Sequence, residues 1–209
     1  MLNEKTKLLS VSTYSLINID STTIEFGNPI NTLSAEACVL VNCPLGTPIV
    51  GQITTSAYFG IVPGSQFTVP SGTYSLSGEL IIDNLIEFDN CTLIVASDGF
   101  ITVNTNMSLS FVNNSLVEGC PTMWQGIIMQ QRSNISLTRT IIRDADIAIA
   151  VNDDCTVYSD AAAYLDCIIG INVLPNVNPS NFSNVTLRII DSKFGRVLPQ
   201  FKNYYPGQN

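Results

Sequence analysis

The sequence predicts an all-β chain wound as a β-solenoid, and three observations carry that prediction. First, short apolar runs recur at a fixed interval: Gly126, Ala148 and Gly170 each open one, and they are 22 residues apart. A period of about 20–30 residues marks a stacked repeat. A longer phrase recurs with them, as Asn-Asn-Ser-Leu-Val-Glu at 113–118, Thr-Arg-Thr-Ile-Ile-Arg-Asp-Ala at 138–145 and Ala-Ala-Tyr-Leu-Asp-Cys at 162–167. Second, the apolar bursts are 3–5 residues long and end at polar corners. Helices need about 10–12 residues, so these are strands. Third, charged residues make up only 12% of the chain. Asn, Ser and Thr replace Lys and Glu, and their side chains compete for backbone hydrogen bonds inside helices while favouring turns.

Residues 1–70 form an irregular N-terminal β and capping segment. Short β-type pieces at Ser10–Ile19 and Thr22–Phe26 are broken by Gly27-Asn28-Pro29, and Cys38, Cys43, Pro44, Gly46 and Pro48 mark a loop or cross-linked turn. The solenoid is expected over 71–198, opening at Ser71-Gly72-Thr73-Tyr74. Its inward positions are assigned to Leu93, Leu116, Ile127, Ile142, Ile149, Leu165 and Ile171. In a coil of short strands, each inward side chain stacks on the same position of the next coil, while main-chain bonds run between coils. Asn90, Asn113, Asn114 and Ser133-Asn134 are expected at corners, with inward amides or hydroxyls pairing with the copy above. Asp160–Tyr164 supplies one helical turn at most, and the Pro- and Asn-rich stretch 174–181 is a bulging loop. Residues 199–209 form a tail or a linker to further domains of the same polypeptide.

The net charge of −8 excludes a nucleic-acid partner, which would need clustered Lys and Arg. No stretch of about 18 apolar residues is present to span a membrane. Six cysteines without a Cys-x-x-Cys pair, in a chain lacking His, fit disulfides better than zinc. The expected pairs are Cys38 with Cys43, a local loop, and Cys91 with Cys120, about one coil apart; Cys155 and Cys167 read equally well as buried thiols. Six Asn-x-Ser/Thr triplets, at Asn90, Asn106, Asn113, Asn134, Asn181 and Asn184, follow from the corner chemistry rather than marking glycosylation.

From Thr73 to Phe194 the pattern resembles the right-handed parallel β-helix of the pectin-lyase-like superfamily. The residues Asn90-Cys91-Thr92, Gly119-Cys120, Met123-Trp124-Gln125-Gly126-Ile127 and Ile141-Ile142-Arg143-Asp144-Ala145 resemble, more narrowly, β-helix regions of large secreted Bacteroidota surface proteins. That resemblance implies a secreted or cell-surface location.

Two kinds of chemistry follow from the resemblance. Polygalacturonase-like enzymes carry Asn-Thr-Asp, Asp-Asp, Gly-His-Gly and Arg-Ile-Lys; here Asn104-Thr105-Asn106, Asn152-Asp153-Asp154 and Arg188-Ile189-Ile190 echo them in part, with no His and with Asn106 where a carboxylate belongs. Pectate-lyase-like enzymes need Ca²⁺ on a carboxylate cluster and an Arg to take the α proton. Arg143, Asp144 and Asp166 are the candidate catalytic set, and Asp144, Asp146 and Asp166 the candidate Ca²⁺ ligands, because Asp166 lies 22 residues beyond Asp144. Otherwise no cofactor is expected. Trp124, the single Trp, is a candidate sugar platform or a packed coil edge. The expected function is a non-catalytic extracellular structural or adhesive module that holds a polysaccharide or surface glycan. The alternative is a polysaccharide-active enzyme, pectate-lyase-like or a glycoside hydrolase.

Overall fold

A computed structural model describes residues 43–174 and 184–197, all within the unit Asn42–Asn209. They form a parallel β-solenoid in which each coil gives one strand to each of three sheets. The first coil holds β1 (Thr47–Val50), β2 (Ile53–Thr54) and β3 (Gln66–Val69), with α1 (Thr55–Phe59) between the last two. The second holds β4 (Thr73–Ser77), β5 (Glu79–Ile82) and β6 (Leu85–Asp89), and the third β7 (Thr92–Val95), β8 (Phe100–Val103) and β9 (Ser108–Val112). The fourth holds β10 (Leu116–Gly119), β11 (Trp124–Met129) and β12 (Asn134–Thr138). The fifth holds β13 (Ile141–Arg143), β14 (Ala145–Val151) and β15 (Thr156–Asp160). The sixth holds β16 (Ala163–Leu165), β17 (Ile169–Val173) and β18 (Thr186–Ile190), and β19 (Lys193–Gly195) opens a seventh. Sheet A collects every third strand from β1 to β19, sheet B those from β2 to β17, and sheet C those from β3 to β18.

The stacking is in register. Ile127 pairs with Ile149 and Ile149 with Ile171, so the interval of 22 residues is one coil. The repeated phrase superposes as Val117, Ile142 and Tyr164. Two columns expected to face inward are shifted by one residue. Leu116 and Leu165 lie on the outer face, while their neighbours Val117 and Tyr164 are 0% and 2% exposed. The side-chain period of two makes a one-residue difference decisive, and the corner sets it. Ser115 is already turned inward and buried, so Leu116 must point out.

The corners also differ from expectation. Asn90, Asn113, Asn114 and Asn134 are exposed, and the first three have φ of 51°, 54° and 67°. They turn the chain through the left-handed region, which Asn tolerates better than most residues. The inward places go to small residues beside them. Gly72, Cys91, Ser115, Thr140 and Ala162 succeed one another coil by coil, each carbonyl accepting from the residue that follows its counterpart on the next coil. The other inward corner runs through Met107, Ser133, Cys155 and Val185. Buried hydroxyls and thiols there reach main-chain carbonyls, as Thr140 Oγ1 does to Phe111 O at 2.8 Å and Cys155 Sγ to Gln130 O at 3.0 Å.

The solenoid begins before residue 71, since residues 47–69 already form a full coil. Its helix was not legible because a five-residue segment shows no period. Conversely, Asp160–Tyr164 is not helical: β15 ends at Asp160, Ala161 turns at φ 52°, and β16 starts at Ala163. Helix α1 is fixed at both ends. Thr54 Oγ1 accepts from Ala57 N, Gly60 closes it at φ 66°, and Asp83 Oδ1 accepts from Ser56 N at 2.9 Å. Phe59 then packs on Phe67 and Tyr74, at centroid distances of 5.2 Å and 6.4 Å. Ile49 and Val69 of the same coil are 0% and 1% exposed.

The disulfide joins Cys43 to Cys120 across 77 residues, in place of the two expected pairs. Cys91 is a buried free thiol, and Cys38 lies outside the described residues. The short intervals that suggested pairing within a loop or between adjacent coils ignored how far a strap can reach. Residues 43–46 lead into β1 of coil one, Gly46 N donates to Ser75 Oγ of coil two at 2.8 Å, and Cys120 belongs to coil four. Three coil steps of about 4.8 Å match four extended residues at about 3.4 Å each. Ile94, on the outer face of the intervening coil, is only 4% exposed.

Candidate functional site

The corner between sheets A and B brings Arg143, Asp144 and Asp166 together, as the enzyme reading requires. Asp144 and Asp166 follow β13 and β16, one coil apart, and both take left-handed φ, 58° and 54°. Arg143 Nε lies 3.3 Å from Asp144 Oδ2, Nη2 lies 3.7 Å from Asp166 Oδ2, and Nη1 lies 3.9 Å from Glu118 Oε2 of the coil before. One guanidinium thus faces three carboxylates on three coils. Asp166 Oδ1 also accepts from Val197 N at 2.8 Å.

The surroundings decide what this cluster can do. Asp144 and Asp166 are 0% exposed, so no substrate atom reaches them. A general base must come within hydrogen-bond reach of the proton it takes. Arg143 is engaged with acids on each side. Asp146 does not complete a calcium site: among the described residues no three of His, Cys, Asp and Glu gather as a metal-binding group. Asp146 is instead a separate carboxyl, raised above its ordinary value by burial. The three carboxylates look adjacent in sequence because two share a coil position, but Asp146 sits two residues further along its strand. Beside the cluster, burial pushes the Cys167 thiol up to about 12, with the Asp144 and Asp166 charges adding to the effect.

Trp124 is no sugar platform. It is 0% exposed, and its Nε1 donates to Arg143 O at 3.0 Å. It fills the same corner and ties coil four to coil five. Two of the polygalacturonase-like echoes, 104–106 and 152–154, share one corner of the column but lie in coils three and five, with residues 130–132 of coil four between them, and the third, Arg188-Ile189-Ile190, lies in β18 of coil six. Asp154 there accepts from Gln131 Nε2 at 3.3 Å and pairs with Arg132 Nε at 3.9 Å.

No protein-family model matches the chain, and no curated protein or solved structure is found similar to it. Any functional assignment therefore rests on the side chains themselves.

The feature not legible in the sequence is the outer face of sheet C. Ser110, Ser136, Tyr158 and Arg188 stand in register on four successive coils, preceded by Glu87 on coil two. Beside them runs a second column, Ser108, Asn134, Thr156 and Thr186. Asn134 Nδ2 donates to Ser108 Oγ at 3.4 Å, and the Arg188 guanidinium lies over the Tyr158 ring at 5.4 Å. Sheet B differs sharply: Ile81, Phe100, Ile128 and Ile147 are partly buried on its outer side. The signal was present as alternation within each strand, but the outward partners become a surface only once the register is known.

Proposed function

We propose that the chain is a non-catalytic extracellular structural or adhesive module whose sheet C face holds a glycan. The observation that carries this is the paired column of Ser, Thr, Asn, Tyr and Arg side chains on successive coils. Coils about 4.8 Å apart offer a regular row of donors and acceptors to an extended polar chain, and a ring beneath a guanidinium adds a flat apolar contact. We further infer that the column belongs to the right-handed parallel β-helices of the pectin-lyase-like kind, as in secreted Bacteroidota surface proteins. The coil pattern and its Trp124-Gln125-Gly126-Ile127 phrase support this. The disulfide fits an oxidising compartment, hence a secreted or cell-surface location. Among the described residues no helix is long and apolar enough to cross a membrane.

The second reading is a polysaccharide-active enzyme such as a Ca²⁺ lyase: Arg143, Asp144 and Asp166 do meet at one corner, but the burial of both acids argues against a reaction there. One experiment separates the two. The protein is screened on a glycan array, and hits are titrated calorimetrically with and without Ca²⁺ while unsaturated product is followed by absorbance. The proposal expects binding without turnover, weakened by Tyr158→Ala or Arg188→Ala. Product formation, or binding insensitive to both changes, would overturn it.

A further inference from the structure

Between coils two and five, the outer face of sheet C is acidic wherever it is charged. Strands β6, β9, β12 and β15 contain no Lys or Arg. Their outward charges are Glu87 and Asp89 on coil two and Asp160 on coil five. None of these three acids has a salt-bridge partner among the described residues. Asp89 Oδ1 accepts from Asn113 Nδ2 at 2.8 Å, and Asp160 Oδ2 from the Tyr158 hydroxyl at 3.4 Å. The cations of the flanking corners are engaged elsewhere: Arg132 faces Asp154, and Arg139 donates to the Asn113 amide oxygen. Between the acids the floor is neutral and built from short side chains, with Ser108, Ser110, Asn134, Ser136 and Thr156 in register. Tyr158 is the one aromatic ring on this side of the sheet among the described residues.

Resting on the glycan-holding reading above, we infer that the ligand is a neutral, unbranched, β-linked polysaccharide chain that lies along the column, across the coils. Charge sets the neutrality. A uronate or sulfated chain brings anions against three carboxylates with no cation between them, and like charges facing each other across a contact reject a partner. Hydroxyls of a neutral sugar both donate and accept, so they suit Ser, Thr and Asn and can also donate to the carboxylates. Repetition sets the shape. The floor offers the same groups at every coil step of about 4.8 Å, close to the advance of one pyranose ring in an extended chain. Equatorial β-linkages keep such a chain straight over successive coils, whereas an α-linked glucan curls off the face.

The test is calorimetric titration of the whole chain with two matched pairs of hexasaccharides. Cellohexaose and maltohexaose share a sugar and differ in linkage; β-linked mannohexaose and β-linked hexamannuronate share a linkage and differ in the carboxylate. Cellohexaose and mannohexaose should bind, each at least about tenfold more tightly than the other member of its pair. The mannose pair should differ more at low salt, where screening is weakest. It should differ less in the variant Glu87→Gln with Asp160→Asn, which removes two outward charges at almost constant size. Maltohexaose or hexamannuronate binding as tightly as its counterpart, or a charge preference indifferent to both salt and the double change, would overturn this inference and leave the glycan reading standing. Binding of none of the four would overturn the inference as well; only a glycan array without a hit overturns the reading beneath it.

Discussion

A methyl group on Gly126 would sit 1.7 Å from the Ile147 carbonyl oxygen, and its φ of 108° lies where side chains are strained. Both follow from the bulge that shifts the register between β11 and β14 at this point. Gly126→Ala should therefore cost about 3 kcal/mol, read as a lower urea midpoint. Arg143→Met should cost about 3–5 kcal/mol, because it removes the cation facing two fully buried carboxylates. Adding Asp144→Asn and Asp166→Asn should restore part of that loss; a single change no worse than a surface substitution would show the cluster to be inert. Acid sensitivity has its own residue. Burial alone would raise the Asp83 carboxyl, but hydrogen bonds from Ser56 and Thr55 outweigh it and hold it below the ordinary 3.8. A lowered folded value means stability that is present above about pH 4 and lost as pH falls through that lower value. Asp83→Asn should flatten this part of the acid unfolding curve. The Cys167 thiol works in the opposite range. Raised from 9.0 to about 12, it supports the fold below pH 9 and ceases to do so as pH climbs toward 12. At pH 8 a thiolate-directed reagent should label it far more slowly than a free cysteine.

At the scale of elements, strand identity and coil spacing were legible because burial imposes alternation on every segment. Leu93, Ile127, Ile142 and Ile149 were placed inward correctly, and Leu116 and Leu165 were not. Most of these bursts offer adjacent apolar candidates, as at Leu93-Ile94, Ile127-Ile128, Ile141-Ile142 and Leu116-Val117, and only the register set at the corner chooses between them. The helix was hidden by its brevity, and the disulfide by its span. A strap over three coil boundaries leaves no local spacing to read. Of the candidate site, the proximity of Arg143, Asp144 and Asp166 followed from the period alone. Their burial did not, because an Asp at a left-handed corner can point either way, and nothing in a sequence reports it. The strap carries its own prediction. Closing a loop of 77 residues restricts the unfolded chain by about 4 kcal/mol in the chain-entropy account. Reduction, or Cys43→Ser with Cys120→Ser, should lower the melting temperature and leave the far-UV spectrum unchanged below it. An unchanged transition would mean that the strap adds nothing.

At the scale of the whole column, chemistry is divided between inside and outside. Aromatic and aliphatic side chains fill the interior, with Phe88 and Phe111 stacked at 4.9 Å, and small polar residues line its corners. Asp144 and Asp166, the acids that suggested catalysis, are fully buried, and Arg143 lies partly exposed beside them. What remains for recognition is the outer faces, polar on sheet C and apolar on sheet B. This division holds only if consecutive coils lie directly over one another. The most direct test is a nuclear Overhauser experiment on protein labelled at isoleucine δ-methyl groups. Contacts are expected between Ile127 and Ile149 and between Ile149 and Ile171, with no direct contact between Ile127 and Ile171. Loss of the first two contacts, together with close α-proton pairs between sequential strands, would reveal an antiparallel sheet and contradict the account.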